Sequence, residues 1–411
     1  MPQNTDVYFH KTVAFRFRKQ DLQFRTSRQL FSSHDIDTGT RFLLRTIVEA
    51  KYPTLRRILD VGCGYGPLSL TLKSLCPAAL VHLFDRDALA LDYSRQNAAL
   101  NGLTDVEIYS CLGYDDVKRN DFDLIVANIP DHAGEKVIAY LLREARYYLS
   151  PGGIAAVVVV TPLEEMVAKV LAETPGTEIV LNQKRSGHAV FHYRFSDAKT
   201  PPAPEKSALE RGIYRRQDIN IKLGQIEYQM QTADGLPEFD SLSYGSELLK
   251  GALNKLRGGE IKNALVFNPG QGHIGVALWK YFNPPKITLI DRDLLALRYS
   301  QLNLNLNGCP ADRVSVLHRA GLDLNSGDKY DLVLGSLRED EGKEAAFLWL
   351  DNAASLLADK GIILISADST AVTRLADYVA SQGFLRIKAR ERRRGYGLLA
   401  LEKLDRLYKM R

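Results

Sequence analysis

Cysteine is scarce in this chain, with four in 411 residues. Cys63, Cys76, Cys111 and Cys309 show no paired spacing of the zinc or thioredoxin kind, which excludes a disulfide framework and gives no reason to expect a metal site. They read as reduced thiols of a cytoplasmic protein. Long apolar runs are also missing. The longest, residues 154–160, is far too short to cross a bilayer, and the first six residues hold no apolar signal core, so neither membrane nor export is indicated. A large charge excess is absent too: 54 Lys and Arg stand against 49 Asp and Glu, a net charge of +5. What remains is an ordinary globular composition, 45% hydrophobic and 25% charged, long enough for two or three domains with proper cores.

With so small a net charge, its distribution says more than its sum. Basic residues gather near both ends, as Lys11, Arg16, Arg18, Lys19, Arg25 and Arg28 and then as Arg386, Lys388, Arg390, Arg392, Arg393 and Arg394. Two such regions suit a phosphate-rich partner, whose counterions are released on binding. A solvated charged surface fits the counts equally well.

The chain is a tandem repeat. The segment Asp85-Arg-Asp-Ala-Leu-Ala-Leu-Asp-Tyr-Ser with Asn97 and Asn101-Gly102 recurs as Asp291-Arg-Asp-Leu-Leu-Ala-Leu-Arg-Tyr-Ser with Asn303 and Asn307-Gly308. Gly64 recurs as Gly270 and Gly39 as Gly245, all at an offset of 206. Between the copies, a stretch centred on Thr-Pro-Pro-Ala-Pro-Glu-Lys-Ser reads as a semi-rigid linker. The expected division is therefore residues 1–195, a linker at 196–210, and residues 211–411. Each copy opens with two period-two segments, 13–17 and 22–26, then 219–223 and 226–230, expected as hairpins. In the first copy, strands follow at 57–61, 80–85, 106–110, 122–128 and 154–160, alternating with helical stretches. Segments 178–184 and 189–195 close it as an antiparallel hairpin. The fold class is α/β, with two tandem Rossmann-like domains, each a mostly parallel seven-stranded sheet.

The most informative stretch runs from Ile58 to Gly66. A short apolar run ends in Asp60 and turns through Gly62, Gly64 and Gly66, a buried strand entering a helix past a loop that a ligand can approach closely. Pro67 stands where a dinucleotide fingerprint has its third glycine, which favours a nucleoside-type cofactor over a pyrophosphate. The strand 80–85 also ends in an acid, Asp85, placed to hold ribose hydroxyls.

These residues resemble the first motifs of class I S-adenosylmethionine-dependent methyltransferases. Phe31-Ser-Ser-His-Asp-Ile-Asp-Thr-Gly-Thr resembles the segment that helps close the cofactor site in the small-domain rRNA methyltransferases. The resemblance implies that Asp60, Gly62, Gly64, Gly66, Asp85, Leu112, Asn128 and Thr40 line a site for S-adenosylmethionine. At Leu112 the family has an acid near the adenine, and a backbone N–H is the expected substitute. Asn128-Ile129-Pro130-Asp131-His132-Ala133-Gly134 resembles the family's Asn-Pro-Pro-Phe-His-x-Gly, a signature of methylation at planar exocyclic amines. There the side-chain oxygen of Asn128 and the next carbonyl accept the two amine hydrogens while the nitrogen faces the methyl group. Ile129 keeps the carbonyl and loses only rigidity, Asp131 removes an aromatic face, and His132 is positioned to take up a proton.

The second copy has Val266 for the acid and Leu334-Gly-Ser-Leu for Asn-Ile-Pro, so it is expected to be a non-catalytic partner serving folding or RNA placement. In the tandem guanine-N2 rRNA methyltransferases that the chain resembles, one half is similarly degenerate. The implied activity is N2-methylation of a guanine in small-subunit rRNA, free or within a ribosomal particle, by a protein for which a monomer is plausible. Two alternatives remain at this point: a pseudo-enzyme that binds RNA or protein, and a methyltransferase for a protein amide or a small molecule.

Overall fold

The computed structural model describes residues 6–53, 55–196, 202–223, 226–324 and 327–404. Residues 197–201 of the expected linker lie outside them. The alternating segments of the first copy pair as an antiparallel hairpin, β1 (Phe9–Phe17) and β2 (Gln20–Ser27). Their apolar faces bury Val13, Phe15, Leu22 and Phe24. The polar alternates face outward, as period two requires.

Behind the hairpin the near-continuous apolar runs build one sheet, buried on both faces as parallel strands demand. Its strands are β3 (Arg57–Val61), β4 (Leu80–Asp85), β5 (Val106–Ser110), β6 (Phe122–Asn128), β7 (Leu149–Val160), β8 (Thr177–Arg185) and β9 (His188–Phe195). The spatial order is β5-β4-β3-β6-β7-β9-β8. The first five are parallel, and β9 and β8 close the edge antiparallel. Five helices connect them: α1 (Thr38–Ala50), α2 (Pro67–Leu75), α3 (Ala88–Leu100), α4 (Glu135–Tyr148) and α5 (Glu164–Ala172). The order reverses between β3 and β6, so a crevice opens beyond their carboxyl ends, where open α/β sheets bind ligands. The glycine loop and Asn128 both stand there.

The second copy repeats the plan. After the hairpin β10 (Arg215–Leu223) and β11 (Ile226–Ala233) come α6 (Tyr244–Lys255), β12 (Asn263–Phe267), α7 (His273–Phe282), β13 (Lys286–Asp291), α8 (Leu294–Leu306) and β14 (Val314–His318). Then follow β15 (Tyr330–Ser336), α9 (Lys343–Leu356), β16 (Leu357–Asp368), α10 (Ser369–Gln382), β17 (Leu385–Arg393) and β18 (Tyr396–Lys403). The sheet order, β14-β13-β12-β15-β16-β18-β17, matches that of the first. Beyond α8 the offset becomes 208, so that β6 matches β15 and Asn128 matches Ser336.

The repeated asparagines have a structural task. Asn97 of α3 and Asn101, which caps its C-terminus, lie one turn apart and hydrogen-bond the outer edge of β2. Asn97 accepts from Arg25 N at 2.7 Å and donates to Arg25 O, while Asn101 accepts from Gln23 N at 2.9 Å and donates to Gln23 O. Asn303 of α8 and its C-cap Asn307 do the same for Gln231 and Gln229 of β11. Side-chain amides thus replace a neighbouring strand, and the hairpin edge is not left unpaired. Asn97 also donates to Tyr65 O at 2.9 Å, so the same residue anchors the glycine loop.

Tyr8–Arg215 form one compact unit and the residues from Arg216 onward form the body of a second. The last part of the stretch between the copies is folded against the first unit. Ala208 N donates to Asp115 Oδ1 at 2.7 Å, Arg211 forms a bidentate pair with Glu144, and Tyr214 is buried with its ring edge-on to Tyr140. No helix of the described residues is long and apolar enough to cross a membrane.

Candidate functional site

At the mouth of the crevice the glycine loop is shaped from within. Gly62 and Gly64 adopt φ of 73° and 56°, and a Cβ added to either would meet nothing within 4 Å. The positive φ demands glycine, and the open space beyond makes a surface against which a flat ligand can lie. Gly66 differs. At φ of 90° its added Cβ would stand 2.9 Å from Leu70 and 3.2 Å from Ser94 Oγ, so it serves the close packing of α2 on α3.

Asp60 is buried, with 1% of its surface exposed, and its Oδ2 accepts from Ser69 N at 3.1 Å. Burial raises its carboxyl to about 7, against the opposing hydrogen bonds from Ser69. Asp85 ends β4 beside the loop; its Oδ2 accepts from Gly64 N at 2.9 Å and its Oδ1 from Asp87 N at 2.9 Å. Leu112 N, expected as a free donor, already donates to Asp116 Oδ2 at 3.2 Å. The carboxylate of Asp116, from the same loop, thus stands against the Leu112 backbone, a contact that spacing alone does not reveal. Gly113 leaves no room on its other side, where an added Cβ would stand 2.5 Å from Tyr140 and 2.6 Å from Tyr214.

Asn128 closes the other side of the crevice. Its Nδ2 donates to Asp37 Oδ2 at 2.8 Å and to Thr40 Oγ1 at 3.0 Å. Two acceptors on one end fix the orientation of the amide, and Oδ1 is turned away from both as an acceptor. Asp37 is also the N-cap of α1, accepting from Thr40 N at 3.0 Å. Gly39 admits the close approach of His188, since an added Cβ would stand 2.8 Å from that ring. The segment 31–41 therefore acts on the site through a clamp on Asn128.

Beyond Asn128, Ile129 is buried and its N–H donates to Val158 O at 3.0 Å, a ladder bond that proline cannot make. Ile129 thus gains a hydrogen bond in exchange for the rigidity it loses. Pro130 leads into a single 3₁₀ turn at Asp131–Ala133, where His132 is exposed and its Nδ1 lies 3.1 Å from Asp131 Oδ1. Among the described residues no hydrogen bond joins His132 to Asn128; the partner of His132 is the carboxylate that stands in the aromatic position. Among the described residues no group of three or more His, Cys, Asp and Glu could hold a metal.

The matching place in the second unit is filled by its own side chains. Asn268 stands where the first unit has Gly62, and its Nδ2 donates to Ser336 O at 2.9 Å. Arg338, in the position of Pro130, turns back to form a charged pair with Asp291, the counterpart of Asp85. Asp291 retains 1% of its side-chain surface, and burial raises its carboxyl while Arg338 opposes the shift. Ser336, in place of Asn128, shares a hydrogen bond with Ser366 at 2.6 Å. Val266 replaces the acid Asp60 and lies wholly inside the core.

The sequence model of the methyltransferase small domain matches residues 21–191 and again 227–399. An uncharacterized protein of Bacillus subtilis, YbxB, is 31% identical over 182 residues, which cover 44% of this chain and 90% of that protein. The ribosomal RNA small subunit methyltransferase C of Citrobacter koseri is 34% identical over 171 residues, and that of Hahella chejuensis 37% over 136. Those matches cover 41% and 32% of this chain but only 48% and 38% of the two relatives, less than half of their length. Among solved structures, a 16S rRNA N2 methyltransferase of T. thermophilus, in complex with AdoMet and guanosine, superimposes with a TM-score of 0.68 at 17% identity, covering 97% of this chain and 99% of that one. At that identity the likeness is one of fold.

Proposed function

Because the chain belongs through both its halves to the methyltransferase small domain family, we propose that its first unit transfers a methyl group from S-adenosylmethionine to an exocyclic amine of RNA, the N2 of a guanine in small-subunit rRNA. The observation that carries this reading is the clamped amide of Asn128, whose Oδ1 faces away from Asp37 and Thr40 at the carboxyl edge of the sheet. An amine conjugated to a purine has its lone pair delocalised. It must be held by acceptors on its hydrogens while its nitrogen meets the methyl carbon in line.

Asn128 Oδ1 and the Ile129 carbonyl provide that pair of acceptors. Asp37 and Thr40 hold the amide so that no reorientation is needed when substrate arrives. The residues present fit the cofactor. Gly62 and Gly64 present an open backbone surface that, with Asp60, would hold the methionine portion, and Asp85 beside them would hold the ribose hydroxyls. When bound, S-adenosylmethionine supplies an electrophilic methyl group. His132 and Asp131, exposed on the 3₁₀ turn, are placed to pass the displaced proton to solvent. The second unit, with Asn268 and Arg338 in its crevice, is assigned no catalytic role.

The test is Asn128→Ala, assayed on unmodified 16S rRNA with nucleoside mass spectrometry of the product. Turnover should fall about 100-fold or more while S-adenosylmethionine affinity changes little, since the lost contact is made to the amine. Undiminished turnover would remove Asn128 from the reaction.

A further inference from the structure

The two copies of one fold differ in charge along the closing hairpin. In the first unit β8 carries Asn182 and Lys184 on one face, and Lys184 is neutralised by Glu164 of α5 at 2.6 Å, with Glu165 next in sequence. At the same places in the second unit β17 carries Arg390 and Arg392, and α10 carries Val372 and Thr373, followed by Arg374. Both carboxylates are gone and two guanidinium groups have come in. Arg390 and Arg392 alternate on the strand, so they share a face. Arg390 Nη2 donates to Thr373 Oγ1 at 2.7 Å and Arg392 Nη2 to the same oxygen at 3.0 Å. That hydroxyl in turn donates to Ser369 O at 2.8 Å.

Two exposed cations thus converge on one neutral oxygen, and among the described residues neither makes an ion pair. Most of the neighbouring charges are engaged elsewhere. Glu391 faces the other way and pairs with Lys255 at 2.7 Å, Asp368 caps α10 through Thr370 N and Ala371 N, and Arg386 and Lys388 are held by Glu402. Asp377, one turn along α10 from Thr373, is an exposed carboxylate that makes no ion pair among the described residues. The rest of the basic run is spent on α6: Arg393 pairs with Glu247 at 2.9 Å, and Arg394 donates to Tyr244 OH at 2.6 Å.

We propose that Arg390 and Arg392, gathered by Thr373, form a phosphodiester-binding site on the second unit. Guanidinium forks match phosphate oxygens, and two of them gathered on one hydroxyl, with no carboxylate bonded to either, suit the backbone of a nucleic acid. The occupant is the RNA of the reading given above, on which this inference rests.

The experiment measures binding of the full chain to unmodified 16S rRNA across a salt series. Arg390→Ala with Arg392→Ala should weaken binding roughly ten-fold and make the log–log salt slope shallower by about one to two, as expected for two lost phosphate contacts. Thr373→Glu, which restores the residue type of the first unit at that place, should reproduce the effect with both arginines present. S-adenosylmethionine affinity should be unchanged in every variant. An unaltered slope in the arginine variant, with RNA still bound and methylated, overturns this site alone. Failure of the unsubstituted chain to bind or methylate the RNA overturns the site together with the reading it rests on.

Discussion

An amide has a donor end and an acceptor end, and the surroundings of Asn128 decide which of them meets the substrate. Because Asp37 and Thr40 take both hydrogens on Nδ2, the motif around Asp37 and the motif around Asn128, far apart in sequence, are two parts of one device. Each motif was legible by itself; the contact between them depends on how α1 meets the end of β6 and could not be read from spacing. Ile129 shows the same limit. In sequence it is a proline replaced with some loss of rigidity, whereas in the fold its N–H extends the pairing with β7. Ile129→Pro should therefore cost about 1 kcal/mol, the net worth of one backbone hydrogen bond. In a unit of this size that lowers the thermal midpoint by roughly 2–4 °C, with methylation retained. An unchanged midpoint would mean that the bond contributes nothing.

Elements were read more easily than contacts. The parallel strands announce themselves as apolar runs, the hairpins by period two, and the duplication supplies every element twice. Asn97 and Asn101 were visible as repeated letters, but nothing in a repeated letter says that helix amides serve as a strand. Their geometry leads to a graded expectation. Asn97→Ala removes partners from Arg25 and from Tyr65 in a buried setting and should cost about 2–3 kcal/mol in denaturant unfolding. Asn101→Ala, at the exposed end, should cost about 1 kcal/mol. Since Asn97 also holds Tyr65 O, its loss should weaken S-adenosylmethionine binding, whereas Asn303→Ala should cost similar stability without that effect. Equal effects of Asn97→Ala and Asn303→Ala on cofactor affinity would contradict the link between hairpin and glycine loop.

At the scale of the whole molecule, two crevices of one design have diverged. The loss of the acid at Val266 was readable directly. The filling of the crevice was not, because Arg338 replaces a proline in a loop and its partner Asp291 lies on another strand. Calorimetry should accordingly find one S-adenosylmethionine per chain. Arg338→Ala, which removes one of the side chains that fill the second crevice without restoring an acid, should still give one. A second site in either protein would refute the division between the units. The Arg338–Asp291 pair has a further consequence. A unit that binds its cofactor from solution gains stability with the logarithm of cofactor concentration, about 2.7 kcal/mol at a hundred times the dissociation constant. The second unit carries its occupant as part of its own chain, at an effective concentration that never varies. On the proposed division of roles, the folding of the first half is tied to the supply of a metabolite, while that of the second is set by its own chain.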